Sequence, residues 1–127
     1  MGRMIFPNLP VKDVASTRDF WTGLGFDFNE GFSSPEAACL VINDQASVML
    51  LAADFFHGFH DTTPHTGTEM LLCLGVESRE EVDRLCEAAG AAGATDADAR
   101  VDQGPMYGGS FRDLDGHIWE VMWMAAS

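Results

Sequence analysis

The order of apolar runs, helix caps and turn residues predicts an α+β chain that writes one β-α-β-β-β module twice. Three observations carry this expectation. A strand-like run ends at Val11 and another at Val76, about half the chain apart. Each run is followed by a helix-capping residue, Asp13 and then Ser78, with a helical apolar period behind it. Each predicted helix is then followed by three short apolar stretches set off by turn residues, the last two joined by the hairpin signal Asp115-Gly116.

In the first half the opening strand covers Met4 to Val11, and Asp13 caps a helix with Val14, Trp21 and Leu24 on one face, ended by Gly23 and Gly25. Strands are expected at Phe26 to Gly31, Ala37 to Ile42 and Ser47 to Ala52, with a turn at Asn43-Asp44. In the second half a strand from Glu69 to Val76 precedes the capping box Ser78-x-x-Glu81 and a helix bearing Val82, Leu85, Cys86 and Ala89, ended by Gly90 and Gly93. Strands follow near Ala94 to Arg100, Met106 to Asp113 and His117 to Met124. A single domain over 1–127 is therefore expected, with one module at about 1–55, a connection at 54–67 and a second module at about 68–127. The connection exceeds the usual length and is expected to hold a short helical turn or to cover a ligand site.

Composition narrows the function classes. Twenty acidic residues against seven basic ones give a net charge of -13, which repels nucleic-acid phosphates and anionic membranes; such acidity more often serves solubility alone than the attraction of a cationic ligand. No apolar run approaches the roughly 18 residues needed to span a bilayer, and the first residues lack a secretory signal pattern, so a cytoplasmic protein is expected. Cys39, Cys73 and Cys86 are odd in number and widely spaced, which suits buried thiols better than a disulfide framework or a zinc ribbon.

The segment Phe111-Arg112-Asp113-Leu114-Asp115-Gly116-His117-Ile118-Trp119-Glu120 resembles the closing D-P-D-G-x-x-x-E signature of the vicinal-oxygen-chelate superfamily, with Leu114 in place of the proline. The opening Asn8-Leu9-Pro10-Val11, followed by Asp19-Phe20-Trp21 and Leu24-Gly25-Phe26, is similar to the family's first strand and helix. With Met106-Tyr107-Gly108 the chain looks most like the branch of predicted lactoylglutathione lyases. The resemblance spans almost the whole chain and implies the glyoxalase/bleomycin resistance fold: two modules edge to edge in a cupped mixed sheet, helices outside, one small-molecule pocket inside, in a homodimer. Strand alternation then turns Met70, Leu72, Leu74 and Val76 toward a helix and Glu69, Leu71, Cys73 and Gly75 into the cup. Phe6, Asn8, Leu50, Ile118, Glu120 and Met122 are assigned to the cup, and His117 and Trp119 to the other side.

The resemblance also implies four metal-ligand positions, Phe6, Leu50, Leu71 and Glu120, of which Glu120 alone carries a ligating group. No cofactor is therefore expected. A divalent metal would need a rebuilt set of Asn8, Glu69 and Glu120, in which neutral asparagine is a poor ligand. His57, His60 and His65 read as solvated loop residues. Glu120 is the candidate catalytic residue, as general base or metal ligand, because a carboxylate among Ile118, Trp119, Val121 and Met122 needs a partner: a metal, a cationic ligand, Arg112, Tyr107 or a proton. The candidate ligand-binding residues are Phe6, Asn8, Leu50, Glu69, Leu71, Cys73, Met106, Tyr107 and Met122. Trp21, Phe20, Trp119 and Trp123 read as core, and Met49, Met106 and Met122 as core filling or an adaptable wall.

Two functions follow from the resemblance. The first is a glyoxalase-like lyase or isomerase acting on a small carbonyl or thiol-conjugate substrate, with Glu120 as base. The second is a non-catalytic binding protein for a small drug-type compound. Ring-cleaving dioxygenase chemistry ranks last, since it requires two histidines and a carboxylate around iron and the implied positions supply no histidine.

Overall fold

The computed structural model describes residues 3–63 and 67–126. The chain divides into two compact units, Met1–Thr66 and Gly67–Ser127. In the first, β1 (Asn8–Val11) leads into α1 (Val14–Gly23), a 3-10 turn (Glu30–Phe32), β2 (Ala37–Asn43), β3 (Ala46–Ala52) and α2 (Ala53–Gly58). In the second, β4 (Leu72–Val76) leads into α3 (Arg79–Ala91), β5 (Arg100–Asp102), β6 (Met106–Arg112) and β7 (Ile118–Met124). The result is α+β, with a three-stranded mixed sheet in the order β1-β3-β2 and a four-stranded one in the order β4-β7-β6-β5. Among the described residues no helix is long and apolar enough to cross a membrane.

The caps form where the sequence places them. Asp13 accepts the Ser16 backbone N–H at 3.3 Å and the Ser16 hydroxyl at 3.1 Å, which satisfies a donor that the helix itself leaves unpaired. Ser78 accepts from the Glu81 N–H at 3.1 Å, while the Glu81 carboxylate accepts from the N–H of Glu77 at 3.3 Å, one residue earlier than a standard capping box. The connection contains α2, as its length suggested.

Four strands differ from expectation. Phe26 to Gly31 makes only one bridge, Phe28 to Leu40, because Asn29 caps the 3-10 turn by accepting the Gly31 N–H and bends the chain off the sheet. Ala94 to Arg100 is likewise reduced to a bridge, Thr95 to Arg112, since Asp96 takes a left-handed φ of 56° and interrupts the extended run; pairing resumes only in β5. The opening strand is shorter at its start, where Ile5 bridges Ala46 and Pro7 has no N–H to contribute. The strand expected from Glu69 begins at Leu72.

In the second unit α3 packs on β6, β7 and β4 through Val82, Leu85, Cys86 and Ala89, all buried. The sheet meets it with Phe111, Trp119 and Val121, which are almost fully buried. Gly109 lets the two layers approach: a Cβ there would stand 2.8 Å from Cys86 Sγ. At the start of α3, Arg79 donates to both Asp102 carboxylate oxygens at 2.9 and 3.1 Å and to the Gly104 carbonyl at 2.6 Å, with its guanidinium over the rings of Tyr107 and Trp123. The signature turn is held by Asp113, whose carboxylate accepts from the N–H groups of Asp115 and His117 at 3.0 Å each and from Trp119 Nε1 at 2.9 Å.

Candidate functional site: the open face of the second sheet

Strand register decides which side chains share the sheet face opposite α3. Cys73 pairs with Glu120 across β4 and β7, and Glu120 pairs with Ser110 across β7 and β6, so these three form one row. The next row is Gly75, Met122 and Gly108, and beyond it Met124 pairs with Met106. Cys73 is exposed, and Glu120, Ser110, Met106 and Met122 are half-buried.

Glu120 is the focal charge of this face. The two protein partners that the sequence offered are engaged elsewhere. Arg112 donates to Asp96 at 3.3 Å and to the Gly116 carbonyl at 3.2 Å. The Tyr107 hydroxyl donates to Asp83 at 2.7 Å, alongside Arg100 at 2.8 Å. Among the described residues no side chain or backbone donor forms a hydrogen bond or ion pair with the Glu120 carboxylate. A half-buried carboxylate left so has its lone pairs available to a cationic or hydrogen-donating group. Its neighbour Cys73 feels it: burial first, and the Glu120 charge second, push the thiol above its ordinary value of 9.0. Cys39 and Cys86 are buried, so alkylation of the native protein should modify Cys73 first. Glu120→Gln should speed that alkylation about two- to fivefold by removing the nearby negative charge. An unchanged or slower rate, read by mass spectrometry of iodoacetamide-treated protein, would contradict the pairing.

The structure brings together Cys73, Met106, Glu120 and Met122 from the expected site and separates others. Tyr107 lies on the α3 face, a correction that follows from alternation itself, since Met106 and Tyr107 are adjacent on β6 and point to opposite sides. Leu50 is also corrected: it is fully buried and pairs with Leu9, whereas Asn8 pairs with Met49, so Leu50 and Asn8 lie on opposite faces. Counting back from Val11 and Val76, the first-unit counterpart of Glu120 is therefore Met49. Phe6 and Asn8 are exposed at the start of β1, where the Asn8 amide donates to the Phe6 carbonyl at 2.6 Å. Glu69 and Leu71 are exposed just before β4. Gly75 was placed on this face by alternation, whereas Ser110 and Gly108 were missed by sequence reasoning, although the cross-strand partners of Glu120 and Met122 identify them.

The donor set does not fit a divalent metal. With the register corrected, the implied positions carry Phe6, Met49, Leu71 and Glu120: two hydrocarbons, a thioether and one carboxylate. Among the described residues no three His, Cys, Asp or Glu side chains converge closely enough to hold an ion. His57 is engaged with the Thr62 hydroxyl at 3.0 Å, and His65 lies outside the described residues. Treatment with a chelator is therefore expected to leave the melting temperature unchanged within about one degree. A large drop reversed by nickel or zinc would show that ligands have been overlooked.

A separate cleft opens between the end of α3 and residues 94–100, lined by Cys86, Ala97 and Arg100 among others. It offers little chemistry, because Arg100 is taken up by Asp83 and by the carbonyls of Ala97 and Ala99.

The family model of the Glyoxalase/Bleomycin resistance protein/Dioxygenase superfamily matches residues 3–121, and the chain belongs to that superfamily. Among solved structures it is similar to the hypothetical protein SA1046 from S. aureus, at 27% identity and a TM-score of 0.81 over 99% of this chain and 95% of that one. It is also similar to a glyoxalase/bleomycin resistance protein/dioxygenase family enzyme from Burkholderia phytofirmans PsJN, at 21% identity and a TM-score of 0.83 over 97% and 99% of the chains. TioX from Micromonospora sp. ML1 shares the fold at 22% identity and a TM-score of 0.65, covering 97% and 99%. No curated protein matches the chain.

Proposed function

We propose that this chain binds a small molecule on the open face of its second sheet, with Glu120 receiving a cationic or hydrogen-donating group and Met106 and Met122 forming the apolar wall. The observation that carries this reading is the half-buried Glu120 carboxylate, set between Cys73 and Ser110 with no protein partner among the described residues. Binding requires such a receptor and an apolar surface, and this face supplies both. A lactoylglutathione lyase-like reaction, with Glu120 as general base, is the second reading; the free carboxylate on the open face favours it, and the poor fit to a divalent metal weighs against it. The proposal extends to a cytoplasmic homodimer, and a monomer mass in light scattering would contradict its dimeric part.

Cys73 provides the test, because it stands beside Glu120 on the same face. Compounds that bind here should protect Cys73 from iodoacetamide in proportion to their occupancy. Compounds that bind the protein tightly yet leave Cys73 equally reactive would place the ligand elsewhere and defeat the proposal.

A further inference from the structure

We infer that Met106, Met122 and Met124 form a thioether site for a soft monovalent metal ion of the Cu(I) type; the inference does not depend on the ligand reading given above. All three stand on the side of β6 and β7 opposite α3, at the end of the sheet. The Ala125 N–H donates to the Pro105 carbonyl at 2.7 Å, so Pro105 and Ala125 are a hydrogen-bonded pair. The neighbouring pair, Met106 and Met124, is therefore of the close, non-hydrogen-bonded kind, with Cα atoms about 4.5 Å apart. Met122 stands about 7 Å from Met124 along β7, and its side chain leans toward β6, since a Cβ on Gly108 would lie 3.4 Å from Met122 Cε and 3.9 Å from its Cγ. Gly108 is two residues from Met106 on the same face. By raising no side chain, it leaves the space through which the third thioether reaches the other two.

Core filling does not account for the cluster. Met124 is 66% exposed, and Met106 and Met122 are half-buried, so their sulfurs remain within reach of solutes. Thioethers are neutral, polarizable donors that select Cu(I), whereas magnesium and calcium seek oxygen donors and zinc needs imidazole or charged ligands. Three flexible side chains can close around one small ion without moving the strands, because each thioether is carried on rotatable bonds. The Glu120 carboxylate, the next residue on this face of β7, adds a favourable negative charge beside the site. The ion is thus distinguished from the divalent metal considered above by its softness, its single charge and its ligands.

The experiment follows isotope-labelled methionine methyl groups by NMR during titration with Ag(I), which shares the charge and softness of Cu(I) and is stable in air. Cys73→Ser is the background, because Cys73 is the exposed thiol and takes such an ion by itself, whereas Cys39 and Cys86 are buried. The methyl resonances of Met106, Met122 and Met124 should shift together and saturate at one ion per chain, while those of Met4 and Met70, exposed elsewhere, stay in place. Zn(II) at the same concentration should move none of them. Met122→Leu should weaken Ag(I) binding at least about tenfold. Leucine conserves volume and apolarity, so the variant should fold; circular dichroism checks this, and Met124→Leu, at the most exposed of the three positions, serves if it does not. Shifts no larger than those of Met4 and Met70, separate midpoints for the three methyls, an equal response to Zn(II), or undiminished Ag(I) affinity in the folded leucine variant overturns the inference. A titration with Cu(I) in the absence of oxygen should reproduce the Ag(I) pattern, and Cu(I) that leaves the three methyls unmoved overturns it as well.

Discussion

Alanine in place of Asp113 is expected to cost about 3 kcal/mol of folding stability, because it strands several donors at once in a buried place. Asp113 is 7% exposed, its carboxylate accepts from Asp115 N–H, His117 N–H and Trp119 Nε1, and Trp119 is 1% exposed. Each buried donor left without an acceptor costs on the order of 1–3 kcal/mol, with partial recovery where water enters the turn. The loss should appear as a lower midpoint in urea with an unchanged slope, and as a fall in melting temperature on the order of 10 degrees. Asp113→Asn keeps one carbonyl acceptor and should lose roughly half as much. An alanine variant as stable as the wild type would mean that the turn does not depend on these bonds.

The same residue gives a pH signature. Burial pushes the Asp113 carboxyl above the ordinary aspartate value of 3.8, against the lowering effect of the Trp119 bond and the His117 charge. A raised folded-state value means that its stability contribution is fully present below the unfolded value and is lost as pH rises through the folded one. The stability of the wild type relative to Asp113→Asn should therefore be greater near pH 3.5 than near pH 7. The variant is needed as a reference because other carboxylates act in the opposite sense. The hydrogen bond from Arg100, then that from Tyr107, holds Asp83 below the ordinary range, and the Arg79 hydrogen bond does the same for Asp102, so their contributions are lost as pH falls.

Gly109→Ala is expected to destabilise the protein by about 2 kcal/mol, although alanine for glycine in an extended strand is ordinarily favourable. The new methyl would sit 2.8 Å from Cys86 Sγ and 3.1 Å from Arg100 Cδ. Arg100 can move, but Cys86 is fully buried on α3, so the helix itself must give way. Cys86→Ala in the same chain removes the opposing sulfur and should recover most of the loss. Denaturant melts of the two single variants and the double variant check this, and a neutral Gly109→Ala would show that the layers are looser than the structure has them.

The fold was legible wherever local chemistry and periodicity agreed. Asp13 and Ser78 announce their helices, the apolar spacing of Val82, Leu85, Cys86 and Ala89 gives the buried stripe of α3, and Asp115-Gly116 marks the turn before β7, where Gly116 adopts a φ of 83°. It failed where a single residue ends an extended run, since apolar composition at Phe26 to Gly31 and Ala94 to Arg100 does not reveal that Asn29 caps a turn or that Asp96 goes left-handed. Half of the candidate site was readable by alternation along one strand, which groups Glu120 with Met122. Cross-strand register was not readable. A one-residue slip moved Leu50 to the wrong face and hid Met49, because a period of two inverts every side chain when the count shifts by one. The engagement of Tyr107 and Arg112 with Asp83 and Asp96 was also invisible, being set by where α3 and residues 94–100 lie in space.

On the proposed function, Glu120 is held ready for a ligand and not for the fold. Glu120→Gln preserves shape and most hydrogen-bonding capacity while removing the charge, so melting temperature and affinity for a compound that protects Cys73 should be measured side by side on wild type and variant. The expected result is a melting temperature within about two degrees of wild type and an affinity lower by about ten- to a hundredfold, since one charged contact is lost and no protein partner is released. A marked fall in melting temperature with unchanged affinity would contradict it, and would make Glu120 a structural residue of β7.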